Sequence, residues 1–578
     1  MALDRHYLFV VAAIAILVFG LSAISPPSLM DDVDAVQAQI ARSMLDSGDW
    51  VTARLNGVAY LEKAPMPYWM MAASFGVFGV RDWAARSPFV LSAIALCLLT
   101  ARWAAWAYSK AAGLAAGAVL ATSVGLWLFT RIQIPDVTLT LAIAFAMYSF
   151  LRGRPWHFWF ALGIGFLLKG LIAMVFPVAT VAVYWTVTRQ WSRWRELRPF
   201  AGAALTLAVA TPWVVLATLR NPPYFDFTMR SVAGEYHGFF WFFFLNEHLF
   251  RFLNMRHPRD YNTVPRLAFW LFHLLWLFPW SAWMPALLGG AREQTPAARD
   301  TRALCLCWIG FILVFFTFST TQEYYSMPCY PAFALLLGAA LAGDHPWLRH
   351  GWRILTVLLA VLGVALAAIF LAVRSYPAPG DISQALTLNP EAYTLSLGHM
   401  KDLTLGAFAY LRTPLAVAAA AFLAGAAGLL ASRGTARVVV LAGAMIVFFQ
   451  AARLALVAFD PYLSSRGLAA ALAKSPPGTV IYDNQYYTFS SVFFYANRPG
   501  LLWNGRVNNL EYGSYAPGAP AVFLDDEGFA ERWRGSERHY LLVEGPRVAR
   551  VRELARPAIL HEVAAAGGKF LYSNRGLQ

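Results

Sequence analysis

Three carboxylates, Asp31, Asp32 and Asp34, fall within four residues of the stretch SPPSLMDDVDAVQAQIARSMLDSGDW, just after the greasy run YLFVVAAIAILVFGLSAI. Acids this close together can serve a helix start: one caps it, another complements the dipole, the third faces solvent. They can also take protons or hold cations in chemistry at a membrane boundary. The same stretch supplies more residues of reactive type. Glu62 and Lys63 precede a proline-rich turn and the aromatic pair Tyr68–Trp69 in YLEKAPMPYW. Asp136, in RIQIPDVTLT, is either an ordinary helix start after Pro135 or a second acid on the same face.

A second cluster reads GEYHGFFWFFFLNEHLFRFLNMRHPRDYNTVP. Glu247 and Arg251, four residues apart, share a helix face and can pair. Glu247 with His248 also offers two ligands to a divalent metal, short of a full coordination shell. Arg251, Arg256, Arg259 and Lys63 put positive charge beside these acids, and an arginine fork matches a phosphate. Lys169 ends the segment FLLKG, where it can cap the carbonyl end of a helix. Tyr324 and Tyr325, in STTQEYYSMPCYPAF, suit either an aromatic belt or hydrogen bonds to a headgroup.

These groups need elements to hold them, and the composition says which. The chain has 578 residues, 59% hydrophobic and 13% charged, with mean hydropathy +0.51. That leaves too little polar surface for a soluble protein and predicts a polytopic α-helical membrane protein. Apolar stretches near 7–24, 85–105, 111–130, 136–151, 156–170, 171–188, 200–219, 265–289, 303–319, 327–343, 353–373, 413–431 and 436–457 predict about thirteen spans. Net charge is +14. Its basic residues gather in alternate loops: Arg5, Arg152 and Arg154, then TRQWSRWRELR, AREQTPAARDTR, HPWLRHGWR and SRGTAR. That is the positive-inside pattern and no sign of nucleic acid. It predicts a cytoplasmic N-terminus and a C-terminus on the opposite, external face of the membrane.

Residues 1–457 thus form the transmembrane part, with long outer loops over 25–84 and 220–264 and a third near 374–412. Val33, Val36, Ile40 and Met44 predict an amphipathic helix lying on the membrane surface, with Asp31 capping its start and Gly48 ending it. Residues 458–578 read differently. TVIYD, AVFLDD, HYLLVEG and GKFLYSN predict strands, with helices at GFAERWR and RVARVRELA between them, a soluble α/β domain serving as lid or docking module. It carries no GxGxxG or Walker loop. The four cysteines lack a disulfide or zinc spacing.

Taken together, ARSMLDSGDWVTARLNGVAYLEKAPMPYW, LLKG, NEHLFRF and EYYSMPCYPAFALLLG resemble, in order, segments of the aminoarabinose lipid A transferases and the protein O-mannosyltransferases. Those are GT-C-fold glycosyltransferases that use polyprenyl-phosphate sugars. The resemblance implies a polyprenyl-phosphate sugar donor, with lipid A, another envelope glycan or a protein as acceptor. It implies that Lys63, Arg251 and Tyr325 contact the donor phosphate, with Tyr324 beside them, and that Asp136 is a second acidic residue. The family opens its first loop with an Asp-Glu pair whose Asp is essential. Counting back from SGDW, Asp34 stands at that Glu and Val33 at that Asp, so Asp32 or Asp34 takes the role. Asn246 stands where the family has a histidine, with His248 close by. The expected reaction is transfer with inversion, the carboxylate acting as base and no nucleotide taking part. A lipid-linked glycan ligase or polymerase is the alternative, ahead of a transporter or flippase and of a lipid-binding protein without chemistry.

Overall fold

The computed structural model describes residues 6–259, 264–287, 295–319, 321–387 and 398–576. Arg5, residues 291–294 of one basic run and residues 388–397 of the third long loop lie outside them. Over the described residues, all the predicted apolar stretches fold as helices, from His6–Ala23 to Thr435–Leu463. Among the described residues, eight helices are long and apolar enough to cross a membrane, or ten if each of two bent pairs counts once. The bends are sharp, 51° between Lys110–Ala121 and Val124–Thr130 and 113° between Arg266–Trp276 and Trp280–Leu287. The thirteen predicted stretches correspond to these ten and to three shorter helices. Asp136–Leu151, Pro155–Lys169 and Ile172–Thr188 have 16, 15 and 17 residues, short of the roughly 20 that a bilayer core requires. Small residues let helices approach closely: Gly338 faces Ala116 so tightly that an added Cβ would come within 2.6 Å of the alanine Cβ.

The first long loop opens with the helix Val33–Ser47, ended by Gly48 at φ 70° as its sequence predicts. Its position is not the predicted one. Every residue from Asp34 to Ala41 is buried, because Met66–Phe78 packs on one side and Ser490–Ala496, from the C-terminal region, on the other. Burial against protein has taken the place of a lipid surface. Next comes a hairpin, β1 (Arg54–Leu55) and β2 (Val58–Ala59), turned by Asn56 and Gly57, both with positive φ.

The C-terminal sheet contains β3 (Thr479–Asp483), β4 (Gly500–Trp503), β5 (Phe523–Leu524), β6 (His539–Glu544), β7 (His561–Ala566) and β8 (Lys569–Ser573). Their order is β5-β4-β3-β6-β8-β7, with β3 to β6 parallel and β8 antiparallel to both neighbours. The two predicted helices are present as Asp526–Arg534 and Val548–Ala555. Strands β4 and β7 escaped the sequence reading. GLLW is brief and follows the turn-like NRPG, while HEVAAA has neither alternation nor β-branched density.

This region is knitted into the outer loops. The Asn56 side chain bonds both backbone groups of Gly500, at 2.8 and 3.2 Å. Gly513 lies directly against the Ala59 carbonyl, where any side chain would collide. Tyr512 stacks on Phe242 at 3.9 Å and donates to the Gly238 carbonyl at 3.0 Å.

Candidate active site

A row of alternating charge runs along the loop side of the helices. It starts at Asp136, first residue of its helix and 1% exposed. Its Oδ1 meets the Lys169 ammonium at 2.6 Å, while Oδ2 is buried with no hydrogen-bond partner among the described residues. Lys169 is therefore not a helix cap. The cap is Gly170, whose φ of 70° and close contact with the His248 ring both require glycine. The Lys169 ammonium also lies 5.2 and 5.1 Å from the ring centres of Tyr324 and Tyr325, within cation–π range. The Tyr325 hydroxyl accepts from Arg251 at 3.1 Å, and Arg251 bonds Glu247 at 2.9 Å. The predicted pairing of Glu247 with Arg251 on one helix face is present.

Glu247 also accepts from Arg256, whose side chain is fully buried. Arg256 reaches the Glu62 carboxylate at 3.8 Å and the Asn509 amide oxygen at 2.7 Å. Glu62 in turn pairs with Lys63. Asn509 donates to Tyr60, and Tyr60 and Tyr487 share a hydroxyl contact of 3.2 Å. The Tyr487 carbonyl accepts from the backbone N–H of Asp32. One connected network therefore runs from Asp136 to the first loop, and some of its links join residues more than 400 positions apart. Its three outer cations, Lys63, Lys169 and Arg251, keep 34%, 26% and 18% of their side chains exposed. A buried carboxylate fixes each one. Such a row can hold an anion against preset donors, because orienting the side chains costs nothing further on binding.

The three opening acids separate. Asp31 does not cap the helix: its carboxylate bonds Lys569 and Ser465, each at 2.6 Å, and the Ser491 N–H at 2.8 Å, tying the first loop to β8 and its neighbours. Asp34 is 2% exposed. Its Oδ1 accepts from the Gln133 side chain at 2.6 Å and its Oδ2 from the Met30 N–H at 3.0 Å. Burial raises its carboxyl pKa, against the pull of the Arg86 and Arg131 charges. Asp32 occupies the N-cap position with φ 78°, makes no capping hydrogen bond and is exposed. It is the one acid of the three that solvent reaches freely.

Glu247 and His248 do not converge on a metal position. Glu247 is committed to two guanidinium groups. His248 Nε2 accepts from the Leu171 N–H at 3.1 Å, which leaves its proton on Nδ1 to donate to the Phe243 carbonyl. Burial lowers the His248 pKa, in keeping with this neutral form. Among the described residues no group of three or more His, Cys, Asp or Glu is placed to hold a metal ion. Tyr68 is fully buried; its hydroxyl has no hydrogen-bond partner among the described residues and burial raises its pKa. It lines a tight pocket together with Lys63, Tyr60 and Trp213. Sequence reasoning did not single out Gln133, Arg86, Arg131 or Asn509. Gln133 lies three residues before Asp136 and could have been read from that spacing. Arg131, buried beside Arg86 and pulled down to about 9 by burial first and that neighbouring charge second, gave no local sign of its burial.

Residues 62–216 match the family described as dolichyl-phosphate-mannose-protein mannosyltransferase. The undecaprenyl phosphate-alpha-4-amino-4-deoxy-L-arabinose arabinosyl transferase of Pectobacterium atrosepticum is 30% identical over 363 residues, covering 58% of this chain and 60% of that one. Its counterpart in Pseudomonas paraeruginosa is 30% identical over 396 residues, covering 63% and 66%. The chain thus matches under two thirds of the length of these curated relatives. The crystal structure of ArnT from Cupriavidus metallidurans bound to undecaprenyl phosphate superposes with a TM-score of 0.79, at 23% identity, over 99% of this chain and 98% of that one. The apo state gives 0.75 at 21% identity, with the same coverage. The resemblance read from the motifs is borne out, and the fold is that of these transferase structures: a multi-span helical membrane protein carrying an α/β region.

Proposed function

We propose that the chain is an integral-membrane glycosyltransferase that moves a sugar from a polyprenyl-phosphate donor to an acceptor at the outer face of a bacterial inner membrane. The N-terminus is cytoplasmic and the α/β region periplasmic. The observation that carries this reading is the row of half-exposed cations, Lys63, Lys169 and Arg251, each backed by a buried carboxylate. Similarity to transferases named for undecaprenyl phosphate substrates supports it.

In this reading the donor phosphate lies against Lys63 and Arg251, with Tyr325 orienting the guanidinium. Tyr324 and Tyr325 hold Lys169 next to them. Asp32 takes the proton from an acceptor hydroxyl as its oxygen attacks the anomeric carbon. The bond from that carbon to the phosphate oxygen breaks, and its electron pair leaves with the polyprenyl phosphate. The cations stabilise the charge that develops there. Asp136 acts through Lys169, and Asp34 through the Gln133 segment, as positioning residues. The donor is no nucleotide, and no step passes through Glu247 or His248 as metal ligands.

A single displacement inverts the anomeric centre. The test uses purified protein in lipid with a panel of polyprenyl-phosphate monosaccharides and crude envelope acceptors, read by mass spectrometry and by NMR of the product. Sugar-sized mass gains with inverted configuration are expected, and their loss in Asp32→Asn. Retained configuration rules out the mechanism; no gain from any single-sugar donor rules out the function.

A further inference from the structure

The α/β region carries a feature outside the charged row. At the carboxyl ends of the parallel strands β4 and β5, Asn504, Gly505, Arg506, Phe523, Leu524 and Asp525 line an open groove of about 430 Å³. Ligands of parallel α/β sheets bind outside the carboxyl ends of the strands, and this volume suits a small molecule or one or two sugar rings. The lining is mixed. Arg506 lies 5.1 Å from the ring centre of Phe523, with its side chain exposed. Asn504, at φ 56°, presents an amide whose nitrogen bonds Asp526 at 3.0 Å. Asp526 also accepts from Trp503 at 2.9 Å and from Arg550, so the amide is held in place. Gly505 is buried, where a side chain would collide with Leu502 and the Asn484 carbonyl, and Asp525 adds a carboxylate that caps its own helix.

An amide, a carboxylate and a guanidinium around an aromatic ring match neighbouring hydroxyl groups, each of which both donates and accepts. The two aspartates disfavour a simple anion. The edge strand β5 is only two residues long, too short for a peptide to add as a further strand. The groove also adjoins the charged row. Three residues separate Arg506 from Asn509, at most about 11 Å of chain, and Asn509 bonds both Arg256 and Tyr60.

We propose that this groove binds a sugar of the acceptor, so that the acceptor is a glycan and the α/β region is its receptor. The assignment rests on the transferase reading above for the word acceptor, but sugar binding itself can be measured without it. The full chain in detergent is titrated with a soluble lipopolysaccharide core oligosaccharide and, separately, with a sugar-free serine- and threonine-rich peptide, followed by saturation-transfer NMR. Polyprenyl phosphate binding, donor turnover and thermal stability are measured on the same samples. Arg506→Ala and Asn504→Gly, the latter keeping the positive φ accessible, are expected to weaken oligosaccharide binding at least tenfold while leaving polyprenyl phosphate binding unchanged. No oligosaccharide binding, binding that both folded variants retain, or peptide binding at the groove overturns the proposal. Sugar binding without any donor turnover overturns the transferase reading and leaves the groove standing. Turnover without sugar binding does the reverse.

Discussion

Asp136 and Lys169 meet at 2.6 Å although they lie 33 positions apart, and the Asp136 carboxylate is almost wholly out of water. Removing one partner strands the other. Lys169→Met leaves the Asp136 carboxylate buried without its cation, with a cost of about 3–5 kcal/mol. The double variant Asp136→Asn/Lys169→Met is expected to recover most of that loss, because neither charge then needs compensation. Thermal unfolding in detergent distinguishes the two, and equal destabilisation of single and double variants would contradict the pairing argument.

Arg251 is held between Glu247 and Tyr325, so its fork has a defined direction. Arg251→Lys keeps the charge and loses the fork. Donor KM is expected to rise about tenfold, the equivalent of one charge-assisted hydrogen bond, with kcat falling less. Arg251→Ala should lose more in both. Steady-state kinetics with a defined donor would measure this; a lysine variant indistinguishable from wild type would count against phosphate binding at this position.

Arg256 acts differently, since it is fully buried and bridges Glu247, Glu62 and Asn509. Arg256→Met removes the cation between two buried carboxylates and releases the helix Asn508–Ser514. Limited proteolysis should cut the α/β region from the membrane part faster in this variant. Unchanged cleavage would mean that Asn56, Tyr512 and the Asp31–Lys569 pair hold the region in place without it.

The three opening acids should give three phenotypes. Asp32→Asn is expected to lower turnover at least about a hundredfold with little change in stability, because Asp32 is exposed. Asp31→Asn should lower stability, because Lys569 loses its carboxylate, while turnover largely survives. Asp34→Asn keeps an oxygen for Gln133 but sets an amide against the Met30 N–H, so its effect on folding should exceed its effect on chemistry. A turnover loss largest in Asp31→Asn would overturn the assignment of the base.

Asp483, at the end of β3, offers a pH test. Burial pushes its carboxyl up to about 6, opposed by the charges of Arg547 and Arg550. The folded value lies above the ordinary one of 3.8, so folding favours the protonated form. The associated stability is complete below about 3.8 and is lost as pH rises through about 6. Between pH 7 and pH 5 the wild type should therefore gain stability relative to Asp483→Asn, at up to about 1.4 kcal/mol per pH unit. Hydrogen exchange in β3 at the two pH values, in both proteins, measures the difference.

Much of this architecture was legible in the sequence. The apolar stretches became helices because a run of about 20 apolar residues satisfies its backbone only by coiling. Gly48 ends its helix as expected, since positive φ is a local property of glycine. The Glu247–Arg251 pair follows from helical spacing alone. Strand β7 was not legible, because HEVAAA becomes a strand only by pairing with β8 across the Gly567–Gly568 turn.

What the sequence by itself determined was which groups are available: cations and acids on the outer loops, and spans to carry them. Which acid meets which cation was decided by tertiary structure alone. Asp31, Asp32 and Asp34 are chemically alike and nearly adjacent, yet one is paired with Lys569, one is solvent-exposed and one is buried on Gln133. Local physics treats the three as equivalents. The difference comes from distant partners: the α/β region, more than 400 residues away, brings Lys569 to Asp31, while the Gln133 segment and its neighbours bury Asp34.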